Sequence, residues 1–175
     1  MKPLHEMLVT EGQRHPRVVR IYEDHLEMEM SSGKSVLIDH DCAYLFSVPW
    51  GLCGGYAARN IERGQAIYLH RLVLNGFSER VDHINGDKLD NRRANLRPAS
   101  HRDNIRNQRL RIDSSTGFKG VRKRYKKWSA QITYDGRQIH LGSANSAEDA
   151  AILYDKAAEE LFGEFSKTNR AMGLL

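Results

Sequence analysis

The sequence predicts an α+β protein in which small antiparallel sheets outnumber helices, and three observations carry that reading. Between Arg17 and Ile38, apolar residues alternate with charged ones on either side of Ser31-Ser32-Gly33-Lys34, the pattern of a half-buried hairpin. Between Leu69 and Asn104, short apolar pieces are separated by Asn, Gly, Asp and Pro, which reads as strand, long loop, strand and helix. Beyond residue 113, two alternating runs flank Asp135-Gly136 and lead into an alanine-rich stripe at helical spacing.

The 175 residues allow one medium domain or two small ones. Charge divides them into three parts. Residues 1–65 hold 7 basic and 9 acidic side chains, residues 66–112 hold 10 and 5, and residues 113–175 hold 10 and 8. The basic excess begins in the middle part, which suits a polyanionic partner. Cys42 and Cys53 form no CxxC pair, so the expectation is two reduced thiols in a cytosolic chain, without structural zinc or a disulfide framework. Met1 to Glu6 lacks the apolar core of a signal peptide, and no apolar run approaches the ~20 residues of a membrane helix.

Residues 1–65 read as a β-rich N-terminal part whose sheet supports the middle part. Residues 1–17 carry no clear pattern. Arg17 to Met30 and Ser35 to Ile38 form the hairpin, and Ala66 to His70 is a strand candidate. Val81 to Ile84 is a short strand ending at the Asn85-Gly86 turn, and Leu96-Arg97 is a second strand stopped by Pro98. Ser100 then stands as a helix N-cap with Asp103 in the reciprocal position, and the helix runs on through Ile105 to Ile112. Asp82 and His83 thus sit at a strand end and Asn104 in a first helical turn. That can bring a carboxylate and an amide oxygen to one hard cation, with an imidazole beside them. An EF-hand does not fit: with Gly86 at its sixth position, Val81 and Arg92 fall where oxygen ligands belong.

Leu69-His70-Arg71-Leu72, Val81-Asp82-His83-Ile84-Asn85-Gly86-Asp87-Lys88-Leu89-Asp90-Asn91, Asn95-Leu96-Arg97 and Asn104 together resemble the HNH endonucleases. Ile38-Asp39-His40-Asp41 and Gly55-Tyr56-Ala57 match a segment that often precedes these pieces in related proteins. The resemblance implies a ββα-metal nuclease module over residues 66–112. In it Asp82 and Asn104 hold Mg²⁺ (or Mn²⁺), His83 is the general base, and Asn95 holds the loop and the base. Asn104 replaces the last histidine of the family name, and a carboxamide oxygen suits Mg²⁺. His70 either stands near the active site or the DNA or anchors its element by hydrogen bonding, and the anchor is the favoured expectation.

Residues 113–175 begin at Thr116-Gly117-Phe118, with strands expected at Gly120–Arg124, Trp128–Tyr134 and Gln138–Gly142. Ser146 caps a helix whose stripe is Ala150, Ala151, Tyr154, Ala157, Ala158 and Leu161, and Gly163 ends it. Lys119, Arg122, Lys123, Arg124, Lys126, Lys127 and Arg137 make the sheet basic, while the helix is acidic. Gly120-Val121-Arg122, Lys127-Trp128-Ser129-Ala130-Gln131-Ile132, Leu141-Gly142 and Ala147-Glu148-Asp149-Ala150-Ala151 resemble the APETALA2-type DNA-binding domain. That implies a three-stranded antiparallel sheet packed on one helix and laid in a DNA groove, with Arg122, Arg124 and Trp128 as readers. Lys126 and Arg137 add to the basic sheet, and Arg106 and Arg109 in the connector can track phosphates.

The expectation is therefore a homing- or phage-type DNA endonuclease whose C-terminal domain supplies the address. Its partner is double-stranded DNA and no membrane. It acts as a monomer in the cytoplasm of a bacterial or phage-infected cell. The alternative is a DNA-binding transcriptional regulator with an inactive nuclease module.

Overall fold

The computed structural model describes residues 2–9, 17–61, 64–74, 76, 80–110 and 114–175. Small antiparallel sheets and few helices build two compact units, Met1–Ser100 and His101–Leu175.

The first unit opens with a four-stranded meander: β1 (His5–Val9), β2 (Arg17–Ile21), β3 (Leu26–Glu29) and β4 (Ser35–Ile38). The expected alternation is present. Leu26, Met28, Val36 and Ile38 are buried, while Arg20 gathers Glu6, Glu27 and Glu29 at 2.9, 3.4 and 3.1 Å. Strand β1 lies in the stretch whose sequence carried no pattern, and four of its five residues are exposed. A 3-10 run, His40–Ser47, then buries Cys42, Leu45 and Phe46, and the Trp50 indole donates to the Leu45 carbonyl at 2.7 Å.

A second meander comes next, with β5 (Gly51–Cys53), β6 (Tyr56–Asn60) and β7 (Ala66–Tyr68). The strand expected to reach His70 stops at Tyr68, and helix α1 (Leu69–Val73) takes over. Leu69 and Val73 are both fully buried and four apart, a spacing that one helical turn brings together on the same side. They close a core shared with Val36, Ile38, Trp50, Val81 and Leu96. The last pair belongs to the hairpin of β8 (Val81–His83) and β9 (Leu96–Pro98), where Pro98 closes the ladder opposite Val81 instead of standing outside it. The loop between them docks on β4: Leu37 N–H donates to the Leu89 carbonyl and Asn91 N–H to the Leu37 carbonyl, both at 2.9 Å.

In the second unit, helix α2 (His101–Arg106) is six residues long and does not run on to Ile112, of which residues 111–113 lie outside the described part. The carbonyls of Arg106 and Gln108, which a longer helix would use, accept instead from the Lys119 ammonium at 2.8 Å each. Strands β10 (Val121–Arg124), β11 (Lys127–Tyr134) and β12 (Arg137–Ala144) form a meander, and helix α3 (Ala147–Phe162) packs on one face. Asp135 at φ +48° and Gly136 at φ +77° form the tight turn that the sequence signalled. Ser146 Oγ accepts from Asp149 N–H at 3.0 Å. Ala150, Ala151 and Ala158 are fully buried, letting α3 lie close to Ala130 and Ile132. Leu161, expected in that stripe, is 37% exposed, and Phe162 occupies the inner position. Gly120, at φ +75°, has no room for a Cβ because the Tyr154 ring rests on it. Among the described residues no helix is long and apolar enough to cross a membrane.

Candidate functional site

Strand β8 ends on three buried residues, Val81, Asp82 and His83, and the loop after it is tied by its own side chains. Asn85 Oδ1 accepts from Asp87 N–H at 2.7 Å, and Asp87 Oδ1 from Leu89 N–H at 3.0 Å, two successive Asx turns. Arg92 grips both Asp90 oxygens, at 2.8 and 2.9 Å, and Asn85 Nδ2 donates to Asp90 as well. Burial would raise the Asp90 carboxyl, but the Arg92 bonds and charge outweigh it and hold it below the usual range. Asn95 closes the loop. Its Oδ1 accepts from Asn85 N–H at 2.9 Å and its Nδ2 donates to the Asp90 carbonyl at 2.8 Å.

This bracing orients His83, which is 5% exposed. Asn91 Nδ2 donates to the Leu89 carbonyl at 3.0 Å, so Asn91 Oδ1 faces the imidazole and lies 3.3 Å from Nε2. A carboxamide oxygen only accepts, which puts the proton on Nε2 and the lone pair on Nδ1. Burial lowers the His83 pKa below its ordinary value, against the Asn91 bond and the charges of Asp82, Asp87 and Asp90. The ring is therefore neutral at pH 7 and able to take a proton.

Asp82 is 6% exposed and directly opposite Arg97 in the hairpin register. Arg97 donates to its Oδ2 through Nε at 2.9 Å and through a terminal nitrogen at 2.7 Å. A carboxylate oxygen fits a hard divalent cation, and the Arg97 charge competes for the same group. Asn104 lies half-buried on α2, in the second unit. A different cluster, Asp39, Asp41 and Cys42, also brings ligand atoms within 4.8 Å of one another. Arg93 fills it, reaching the two Asp41 oxygens at 2.6 and 2.7 Å and Cys42 Sγ at 3.2 Å, so a cation there meets a resident positive charge.

Beside His83 stands an aromatic group. The Tyr56 ring lies 5.3 Å from His70, 5.8 Å from His83 and 5.9 Å from Tyr68, with the Lys88 ammonium 4.3 Å from its centre. His70 is 6% exposed and packs edge-to-face on His83 at 5.3 Å. It does not anchor its element by hydrogen bonding as expected: its buried Nδ1 has no partner among the described residues. Sequence reasoning also gave no role to Asn91 or Arg97. Neither spacing nor periodicity marks them, and only the hairpin register sets Arg97 against Asp82.

In the second unit, register puts Arg122 and Arg124 on one face of β10, both exposed, with Ser129 and Lys127 opposite them on β11. Lys126 is exposed in the turn beyond, and Arg137 starts β12, also exposed. Trp128 does not share that face. It pairs with Lys123, whose ammonium lies 5.4 Å from its ring, and packs on the Val121–Ala130 core under α3. Arg106 turns inward too, with Asp103 at 3.0 Å and its guanidinium 4.8 Å from the Phe162 ring. Arg109 is exposed after α2.

Residues 68–106 match the family described as HNH endonuclease. "Uncharacterized HNH endonuclease L560" of Acanthamoeba polyphaga mimivirus is 37% identical over 107 residues, 59% of this chain and 55% of that protein. "Protein 3.8" of Escherichia phage T7 is 30% identical over 89 residues, 50% of this chain and 73% of that protein. "Ethylene-responsive transcription factor ERF084" of Arabidopsis thaliana is 52% identical over 56 residues, 30% of this chain and 22% of that protein. The chain thus spans about half the length of the mimivirus protein. No solved structure matches.

Proposed function

We propose that this chain, which belongs to one family with Protein 3.8 of Escherichia phage T7 and carries an HNH endonuclease domain over residues 68–106, is a metal-dependent DNA endonuclease. The observation that carries the reading is a neutral, buried His83 whose Nε2 is held by Asn91, next to the carboxylate of Asp82. His83 Nδ1 takes a proton from water as that water attacks phosphorus in line. The bond from phosphorus to the 3′ oxygen breaks, and the 3′ oxygen leaves as an alkoxide that takes a proton from solvent, giving 5′-phosphate and 3′-hydroxyl ends. By resemblance to the HNH endonucleases, Asp82 and Asn104 would be the oxygen ligands of Mg²⁺ or Mn²⁺, whose charge would stabilise the phosphate under attack. Asn95 keeps the base in place by bracing its loop.

The β10–β12 sheet supplies the address, in a domain of the APETALA2 type. Support comes from Arg122, Arg124 and Lys127 exposed on the sheet face away from α3, together with the ethylene-responsive factor match. Trp128, under α3, serves packing in this reading, and Arg106 serves the α2–Phe162 contact.

A second reading, a DNA-binding regulator with an inactive nuclease module, draws on the Arg97 charge already seated on Asp82. One experiment separates the two. Double-stranded DNA is incubated with the chain and Mg²⁺, with and without excess EDTA, and ends are mapped on both strands. Cuts that carry 5′-phosphates and vanish in EDTA support the nuclease. Binding without any cut, for wild type and in Mn²⁺ as well, supports the regulator.

A further inference from the structure

His70 is a buried polar group that neither the fold nor the proposed mechanism uses. It sits on α1, a helix of only five residues, inside the ring group of Tyr56, Tyr68 and His83. At 6% exposed it has given up nearly all contact with water, yet among the described residues no atom bonds its Nδ1. Leaving a buried polar nitrogen unsatisfied costs about 1–3 kcal/mol. A phenylalanine would fill the same aromatic cage without that cost. An imidazole kept in such a place holds hydrogen-bonding capacity that the described residues leave unused. A group arriving at this address is the one His83 works on, because the two rings touch edge to face at 5.3 Å.

Resting on the nuclease reading, we propose that His70 donates a hydrogen bond from a neutral imidazole to a non-bridging oxygen of the scissile phosphate. It thereby acts as a second substrate-contacting residue beside His83. The chemistry favours an anion over a proton to be carried. Burial, with smaller contributions from His83 and Arg71, pushes the His70 pKa down to about 3, so the ring stays neutral and keeps an N–H to give. Such a ring is a poor proton acceptor and a good donor, the property by which a neutral imidazole can polarise a bound oxygen. Tyr56 and Tyr68 hold the ring from two sides, so the donor is fixed before substrate arrives.

The test replaces the ring without emptying the cage. H70F is expected to melt at or above the wild-type temperature and to bind DNA within about twofold. Its single-turnover cutting at saturating DNA falls about 10²-fold, the loss typical of one donor to a developing negative charge. H70Q, which retains a donor, is expected to fall between the two. H70F cutting within threefold of wild type would overturn the inference. So would both variants failing to fold or melting well below wild type, which would make the ring a structural element. A third measurement does not depend on turnover. With Ca²⁺ in place of Mg²⁺ and DNA added, the imidazole ¹⁵N–¹H signals of His70 in the wild type are expected to shift. Unchanged signals overturn the proposal even in a chain that never cuts, whereas shifted signals in such a chain uphold it while the nuclease reading fails.

Discussion

The hairpin loop of the first unit and the sheet of the second are both rich in arginine and use it in opposite ways. In the loop the guanidinium groups are locked to carboxylates: Arg92 to Asp90, Arg93 to Asp41 and Arg97 to Asp82. In the sheet, Arg122 and Arg124 stand exposed and form no ion pair among the described residues. Charge that is paired within the chain fixes geometry, and charge left facing solvent stays available to a polyanion. The same residue type therefore braces a loop in one place and lines an exposed basic face in the other.

The largest expected effect tests the rigid half. H83A is expected to lower cutting by about 10²–10⁴-fold, the range for a lost general base, with DNA binding nearly unchanged. A variant that cuts at more than a tenth of the wild-type rate removes His83 from the chemistry. The next effect probes what the paired arginines do. D90A strips Arg92, Asn85 and the loop of their shared acceptor. It is expected to cost about 2–3 kcal/mol of stability, below the figure for a fully buried pair because Arg92 keeps some contact with water. Chemical denaturation measures it. Were D90A as stable as wild type but as slow as H83A, Asp90 would belong to the reaction and the contrast between the two regions would need redrawing.

For the exposed half the expected losses are smaller and of another kind. R122A and R124A are each expected to weaken specific binding by about 1–3 kcal/mol if they read guanine edges. If they only meet phosphate, binding to all sequences weakens alike and the salt slope drops by about one per arginine. Titrations at several salt concentrations, on target and unrelated DNA, separate these. W128F is expected to leave binding in place, since Trp128 packs under α3.

How far each region was legible depends on the range of the forces that shape it. The second unit beyond α2 was read closely. Its turn, cap and alanine stripe are local signals, each decided within a few residues, and Leu161 is the stripe residue that came out otherwise. In the first unit, Asp82 and His83 could be picked out because they adjoin in sequence. The groups that hold them could not. Arg97 reaches Asp82 only across the hairpin, Asn91 is turned by the Leu89 carbonyl, and the whole loop leans on β4 from more than fifty residues away. α2 stops early for a similar reason, because the carbonyls at its end are taken by Lys119.

The smallest expected effect is one of pH, and it also divides the two regions. His70 has a folded pKa near 3, below the ordinary 6.5 of an unfolded chain. Its contribution to stability is thus complete above pH 6.5 and is lost progressively as pH falls through that value toward 3. In this window the unfolded chain binds the extra proton, at a slope of at most about 1.4 kcal/mol per pH unit. The buried, neutral His83 shifts in the same direction. The perturbed amine of the second unit, Lys119, is pushed by burial to about 8, so its own window opens only above that pH. Between pH 6.5 and 5, acidification is therefore expected to loosen the first unit before the second. The chain has one tryptophan in each, Trp50 in the first, fully buried, and Trp128 in the second, partly buried. Single-tryptophan variants W50F and W128F report each unit separately by fluorescence during denaturation at pH 7 and pH 5.5. The Trp50 transition is expected to move to lower denaturant at pH 5.5 while the Trp128 transition holds, and H70F is expected to shrink the Trp50 shift. Equal shifts of both transitions would mean that the acid response is not centred on the two histidines.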